Sequence, residues 1–407
     1  MKRLIIISFA ACLLAGCGIY KPYSRPEVTT DSLYRDDRDM QTEEDTLSLA
    51  ALSWRELFRD EQLQRLIEQG LRQNTDLRVA RLRVEEAEAV LMNTRLSYLP
   101  SVSLNPEGTA GRYEGTTIRT YDLKTSASWE IDIFGKVTNA RRGAKAALEG
   151  SRAYEQAVQT QLVATIATGY YTLLMLDKQL NINNSTLESW ERTVETLEAL
   201  KRAGKSDDAA VLQAKANRMT LEAAVLSVRK SIRDTENSLS ALLAMVPQSI
   251  RRGTLDGQEF PEELAVGVPV QLLANRPDVR QAELNLAQAF YATNAARTAF
   301  YPGVTLSGAA GWTNNGGGVI LNPGSWLLSA VGSLTQPLFN KGTNIANLKV
   351  AKARREEAAL LFQQSVLNAG KEVNDALVQC QTAQARIKIG IRQIDTLQEA
   401  VHKTKLL

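Results

Sequence analysis

The chain has 407 residues, of which 44% are hydrophobic and 23% are charged, and its formal net charge is +3. This composition is typical of folded chains, and it excludes a disordered protein, a collagen and a polytopic helical membrane protein. The near balance of 48 basic and 45 acidic residues argues against a nucleic-acid partner. Three cysteines exclude a disulfide scaffold, and a single histidine leaves little basis for metal binding or histidine-dependent catalysis.

The first segment, 1–16, is predicted to be a signal peptide. It has a basic start, and its apolar run Leu4–Leu14 is too short to span a bilayer. The run ends in Leu14-Ala15-Gly16-Cys17, which resembles the bacterial lipobox. By that resemblance the chain is cut before Cys17, whose thiol is acylated, so that the segment 17–53 starts on a membrane. The glycine at position 18 favours the outer membrane, and a secretory peptide with an incidental cysteine is the alternative.

The remainder of the chain contains one pattern twice. A shift of 202 residues aligns nine identities between 76–104 and 278–306. After a gap of three, the match resumes with Phe134 and Lys136 on Phe339 and Lys341. We therefore divide the chain into a first repeat, 54–246, a linker or equatorial segment, 247–270, and a second repeat, 271–407. Each repeat is predicted to run helix, two strands, long helix, because Leu-, Glu-, Arg- and Ala-rich segments flank alternating ones.

The four strands are predicted at about 101–113, 119–133, 302–313 and 325–338. In the second of them, apolar residues alternate with polar ones that include Asp122, Lys124, Glu130 and Asp132. A period of two places an apolar face opposite a charged face. Such long strands suit a tilted membrane crossing, with tryptophans such as Trp129 near the interface and the charged residues facing a water-filled lumen. A soluble β-sandwich is the alternative.

Four strands are too few to close a barrel, since about eight is the practical minimum and open edges are excluded from lipid. If these strands enter a membrane, several chains must share one barrel. Three chains supply twelve strands, an even antiparallel number, so the pattern predicts a homotrimer.

The long helices show a heptad pattern typical of coiled-coil packing. One seam runs from Leu221 to Val246 and a second from Val373 to Val401, with Cys380 as a packed member of the second. The segment Lys201–Asp208 between two helical stretches is predicted to be a tight turn. The helical stretch that starts at about residue 135 is long enough, at roughly 100 Å, to cross much of a periplasm.

Motifs for catalysis are absent from the sequence. It contains no Walker A motif, no dinucleotide-binding glycine fingerprint, no His-Glu-x-x-His and no Cys-x-x-Cys. The acidic pairs Asp207-Asp208 and Glu372 with Asp375 lack a nucleophile or histidine beside them. We therefore expect no enzyme activity, no catalytic or metal-binding residues and no cofactor other than the covalent lipid on Cys17.

Several runs of residues resemble one family, the TolC-type outer-membrane efflux channels, and in particular the lipidated OprM-like branch that serves resistance-nodulation-division pumps. Besides the lipobox, the matching runs are Trp54–Phe58, Tyr98–Pro100, Trp129–Gly135, Asn275–Arg280 and Gln336–Phe339. The resemblance implies an α+β membrane protein. In it, each repeat gives a hairpin to a trimeric twelve-stranded barrel in the outer membrane and long helices to an α-helical barrel in the periplasm.

The resemblance also implies partners and a function. Such a channel is a passive export duct for small molecules such as drugs, and it docks a periplasmic adaptor and an inner-membrane pump. In the family, hairpin tips contact the adaptor through a small glycine motif. Ala203, Gly204, Lys205, Ser206, Asp207 and Asp208 occupy that place here, with the lysine departing from the usual apolar residue. The second repeat ends before a counterpart of this tip, so the sequence reads as a fragment or a shortened variant, and no gate residues are carried over.

Two other functions remain open from the sequence. A lipid-anchored periplasmic coiled-coil scaffold or adaptor accounts for the lipobox and the heptads, but it leaves the two amphipathic hairpins without a role. A type I protein-secretion duct is a close variant of the channel, and the lipobox and OprM-like runs argue against it.

Overall fold

The protein was examined as a computed structural model that describes residues 20, 22–26, 53–113, 115–258, 276–314 and 325–405. The predicted lipidation site, Cys17, lies outside these residues. The described chain contains seven α-helices, one short 3₁₀ turn (Leu255–Gly257) and four strands. In chain order the elements are α1 (Trp54–Leu57), α2 (Glu61–Gln73), α3 (Thr75–Leu96), β1 (Ser101–Tyr113), β2 (Thr116–Ile131), α4 (Lys136–Arg202), α5 (Asp208–Leu242), α6 (Pro277–Thr298), β3 (Gly303–Asn314), β4 (Ser325–Thr335) and α7 (Thr343–Lys405).

Helix starts follow local capping chemistry. Ser53 and Glu56 form a reciprocal capping box at α1, and the Asp60 carboxylate accepts two backbone N–H groups at α2. Pro277 opens α6, where its missing N–H costs no helical hydrogen bond. The element order helix, strand, strand, long helix therefore occurs twice, as the repeat predicts.

The two hairpins form one antiparallel sheet in the order β1-β2-β3-β4. The central pairing joins the repeats, with Ile131 opposite Val304 and Tyr121 opposite Asn314. The strand bounds differ from the prediction mainly at their ends: β2 ends at Ile131, so Asp132 lies beyond the strand in which the sequence pattern placed it, and β4 ends at Thr335.

The described chain divides into two compact units. The first contains the sheet with residues 83–153 and 276–376, and the second contains residues 53–82, 154–258 and 377–405. The core of the second unit packs α2 against α4 and α5. It is formed by buried side chains that include Leu63, Ile67, Ile166, Tyr170, Leu173, Leu239 and Leu243.

The two heptad seams differ in burial. In the first seam, Val225, Val228, Ile232 and Leu239 are buried, as coiled-coil packing requires. In the second, the apolar residues from Ile387 to Val401 are more than half exposed, and Cys380 is exposed rather than packed. The prediction for Cys380 is wrong for this chain because no described element covers that stretch of α7.

Candidate functional site

The sheet has one apolar and one polar face. Residues paired across neighbouring strands point to the same side, so the register sorts the side chains directly. Leu123 pairs with Trp312, and Trp312 pairs with Trp326, with their ring centroids 4.8 Å apart. The apolar face is exposed: 75% of Trp326 and 85% of Leu328 remain accessible. An exposed apolar face that extends across neighbouring strands is typical of a surface that meets lipid or another protein.

The opposite face carries the charged residues. Lys124 Nζ lies 3.4 Å from a Glu107 carboxylate oxygen and 3.8 Å from one of Asp122, and the Thr313 hydroxyl donates to Asp122. Nearby, the hydroxyl groups of Ser103 and Ser126 are 2.9 Å apart. A network of this kind needs water or polar partners, so this face suits a hydrated space.

Of the four predicted lumenal residues, the structure places three on the polar face. Asp122, Lys124 and Glu130 belong to β2, and Glu130 forms an ion pair of 2.8 Å with Lys136. Asp132 instead caps α4: its carboxylate accepts the backbone N–H groups of Val137 and Thr138 at 2.9 and 2.8 Å. A carboxylate at a helix N-terminus satisfies otherwise unpaired donors, which gives Asp132 a structural task at the strand–helix junction.

The outer edges of the sheet are open. Within the described residues no strand pairs with the free side of β1 or of β4. Both strands are long, at 13 and 11 residues, so each leaves a row of unpaired backbone donors and acceptors. Both edges of the sheet are therefore open to pairing with further strands.

The predicted tip is a compact helix–turn–helix. At the end of α4, the backbone N–H of Lys205 donates to Leu200 O and that of Gly204 to Lys201 O, at 2.9 and 3.0 Å. Gly204 has φ +71, a conformation that a side chain disfavours, and so it ends the helix. Asp207 then caps α5 through a 2.8 Å bond from the Ala210 N–H. The sequence thus correctly predicts a tight turn.

Two ion pairs join α4 to α5 beside the tip. Lys201 forms a 2.5 Å ion pair with Asp208, and Lys215 a 2.6 Å pair with Glu198. The hydrogen bond from Lys201 and the charge of that lysine lower the pKa of the Asp208 carboxyl. Residues 203–208 are exposed except for the partly buried Ser206, so the tip presents its surface to solvent.

A buried polar cluster was not predicted from the sequence. The Arg252 guanidinium bonds both oxygens of Asp177, at 2.6 and 2.9 Å, and one of Glu236 at 2.6 Å. The backbone N–H of Ile250 reaches the same Glu236 oxygen at 3.3 Å. The cluster holds the segment after α5 against α4 and α5. The residues are up to 75 positions apart, and no local motif marks them.

A second polar contact lies beside it. The Tyr170 hydroxyl donates to Asp60 at 2.7 Å and accepts the Gly253 N–H at 3.0 Å, and the Gln258 amide donates to the same Asp60 oxygen at 2.8 Å. Burial raises the pKa of the Tyr170 hydroxyl. Burial would also raise the pKa of Asp60, but the hydrogen bonds from Tyr170 and Gln258 together with two backbone amides hold it below its ordinary value.

The part of the chain that the structure describes shows no candidate metal site. It holds no group of three or more His, Cys, Asp or Glu side chains arranged to bind a metal. None of the described helices combines the length and the apolar character needed to cross a membrane.

An amphipathic sheet with open edges, continuous with very long helices, defines a class of membrane channel. The chain belongs to the outer membrane efflux protein family, whose pattern matches residues 66–245 and 268–405. The resemblance to TolC-type channels that the sequence motifs carry is confirmed, and the α+β fold is shared with solved channel structures.

Individual relatives are similar over nearly the whole chain. The chain is 28% identical to the probable outer membrane lipoprotein SilC of Salmonella typhimurium, covering 100% of this chain and 89% of SilC. It is also 28% identical to the cation efflux system protein CusC of Escherichia coli K12, covering 98% and 88%. The solved structure of the outer-membrane channel OprN superposes with a TM-score of 0.83 at 27% identity, over 92% and 85% of the two chains.

Proposed function

We propose that this protein is the outer-membrane duct of a tripartite efflux system, through which small molecules leave the cell passively while a partner pump supplies the energy. The single observation that carries the proposal is the sheet: four strands with one exposed apolar face, one charged face and two unpaired edges. Lipid on one side and water on the other suits the two faces, and the unpaired edges require further strands before the sheet can enter lipid. The proposed role needs no catalytic group and no cofactor.

The open edges support a homotrimer. Three copies of a four-stranded arc make a barrel of twelve strands, in which β1 of one copy pairs with β4 of the next. The same symmetry gives the long helices neighbours, and it covers the exposed apolar side chains of α7 from Ile387 to Val401. Native mass spectrometry in detergent should show three chains, and a stable monomer that needs no detergent once its lipid is removed would refute this assembly.

The polar face supports a lumenal assignment for Asp122, Lys124 and Glu130. Replacing Lys124 by glutamate removes one positive and adds one negative charge per chain on that surface, and it should shift the single-channel ion selectivity toward cations. The matched control is Arg72→Glu, which makes the same charge change at an exposed position of α2, outside the sheet. Unchanged conductance and selectivity for the Lys124 variant would count against the assignment.

The tip residues Ala203, Gly204, Lys205, Ser206, Asp207 and Asp208 are proposed to contact a periplasmic adaptor, which joins the duct to an inner-membrane pump of the resistance-nodulation-division class. Their exposure and the rigid capping on both sides support a docking role. The acylated Cys17 is proposed to anchor the N-terminus in the outer membrane, in line with the lipoprotein name of the relative SilC.

Surface labelling of intact cells separates the duct from a periplasmic scaffold. In a Cys380→Ser background, Gly115→Cys places a thiol in the β1–β2 turn. The φ of +83 at this position disfavours a side chain, but an added Cβ has open space, with nothing within 4 Å. A membrane-impermeant maleimide should label it in intact cells. The matched variant Lys205→Cys, at the tip, should be labelled only after the outer membrane is permeabilised. Equal protection of both thiols in intact cells would favour the scaffold.

A further inference from the structure

A chain of contacts leads from the apolar face of the sheet to a cation on α4. The Trp129 indole Nε1 donates to the Tyr98 carbonyl at 2.9 Å, and the Tyr98 hydroxyl lies 2.9 Å from Thr138 Oγ1. The Arg141 guanidinium carbon lies 5.5 Å from the centre of the Tyr98 ring, which is cation–π distance. Because Trp129 belongs to the apolar face, Trp129, Tyr98 and Arg141 form one continuous surface on the side of the sheet that is proposed to meet lipid.

If the apolar face of the sheet meets a bilayer, the start of α4 lies at the level of the lipid head groups. Helix α4 starts at Lys136, so Arg141 is five residues along it, about 8 Å. Lys145 is about 14 Å along, and its side chain extends back toward the level of Arg141, because helical side chains tilt toward the helix N-terminus. The polar layer on each side of a bilayer is roughly 5–8 Å thick. Tryptophan and tyrosine are enriched at this boundary, and long basic side chains extend from it toward phosphate.

The first turns of α4 carry only positive charge. Residues 136–148 contain four basic and no acidic residues, and the first acid is Glu149. Arg141 and Lys145 are four residues apart and so share a helix face, and both are exposed. Within the described residues, neither takes part in an ion pair. A negatively charged group at this surface would therefore meet two free cations beside an aromatic pair.

The second repeat lacks these groups. Phe300 stands where the first repeat has Tyr98, Leu334 where it has Trp129, and Ala346 and Val350 where it has Arg141 and Lys145. The arrangement is therefore a property of the first repeat, and it occurs once per chain rather than wherever a helix leaves the sheet.

We propose that Arg141 and Lys145 bind the phosphate of an anionic phospholipid in the periplasmic leaflet, and that Tyr98 and Trp129 pack along its glycerol and upper acyl region. The guanidinium offers paired N–H donors to phosphate oxygens, and the lysine adds a second charge. This inference rests on the proposed function, because it requires the apolar face to meet a bilayer.

The test counts phospholipids retained by the purified full-length trimer in native mass spectrometry, with phosphatidylglycerol and phosphatidylcholine supplied at equal concentration. The wild type should prefer phosphatidylglycerol, and the double variant Arg141→Gln, Lys145→Gln should lose at least tenfold in its affinity. The matched pair is Arg141→Gln and Arg142→Gln, because each removes one charge, at positions about 100° apart around the helix. Arg141→Lys, which keeps the charge, should retain part of the binding that Arg141→Gln loses.

Three results would overturn the site: no preference for phosphatidylglycerol, unchanged affinity in the double variant, or an equal loss in Arg142→Gln. The last would reduce the effect to general attraction between a basic surface and anionic lipid. Failure of this site is distinguishable from failure of the duct, because labelling of Gly115→Cys and the trimer mass do not depend on Arg141.

Discussion

Substitution of Arg252 by methionine keeps a long apolar stem but removes the three hydrogen bonds that join Arg252 to Asp177 and Glu236. Asp177 is 37% exposed and can be rehydrated, whereas Glu236 is 11% exposed and would keep only the longer bond from the Ile250 N–H. Breaking a buried pair from one side costs about 3–5 kcal/mol. Because one partner regains water, we expect the lower end of that range, about 3 kcal/mol.

The effect should be local, on the segment that follows α5. Hydrogen–deuterium exchange of a peptide covering residues 246–258 reads the opening free energy directly. A loss of about 3 kcal/mol corresponds to roughly 100-fold faster exchange, since each 1.4 kcal/mol is a factor of ten. Adding Glu236→Gln to Arg252→Met should recover part of the protection, because the amide carries no buried charge.

The matched control is Lys178→Met. Lys178 pairs with Asp256 at 2.6 Å in the same region, but the two side chains are 44% and 72% exposed. Exposed pairs contribute about 0–1 kcal/mol, so exchange should accelerate by less than about fivefold. If both variants accelerate exchange equally, the buried cluster does not hold this segment, and the reasoning from burial is wrong.

Three further predictions follow from close contacts. Gly311→Ala should block assembly of the sheet, because its Cβ would lie 2.1 Å from the Leu123 carbonyl oxygen. The control Gly111→Ala, whose added Cβ meets nothing within 4 Å, should assemble normally. Assembly is measured by heat-modifiable gel mobility, and equal yields of the two variants would refute the steric argument. Asp207→Ala should cost the start of α5 about 1 kcal/mol, seen as faster exchange at residues 208–212, and unchanged exchange would show that the cap is dispensable. The pKa of Asp60 is lowered in the folded state, so its carboxylate stabilises the fold at any pH above its unfolded-state pKa of about 4. That stabilisation is lost as the pH falls through the folded-state pKa. Asp60→Asn should therefore flatten the acid limb of thermal unfolding, and an unaltered limb would assign it to other carboxyls.

Much of the fold is predictable because it is local. Alternation from Tyr121 onward specifies an amphipathic strand whatever its partner, and the proline at 100 sets where a helix gives way to a strand. The turn at Gly204 has a similar local cause, since capping is decided within a few residues. These features agree with the structure to within a few residues.

Other features depend on distant partners. Asp132 continues the period of two, yet its carboxylate is captured by the first turn of the following helix. Cys380 fits a heptad position, but a heptad predicts packing only where a second helix is present. Arg252 contacts Asp177 and Glu236, and Trp129 contacts Tyr98. No spacing rule in the sequence relates the members of these contacts, so only the structure shows them.

The pairing of β2 with β3 has a consequence for biogenesis. The paired positions are separated by 173 to 193 residues, for Ile131 with Val304 and Tyr121 with Asn314. At a synthesis rate of about 5–20 residues per second, β2 is made roughly 10–40 s before β3, the strand with which it pairs. During that interval the apolar face of the first hairpin and the edge of β2 that later pairs with β3 have no partner. The central pairing of the sheet therefore forms only after the second repeat has been made.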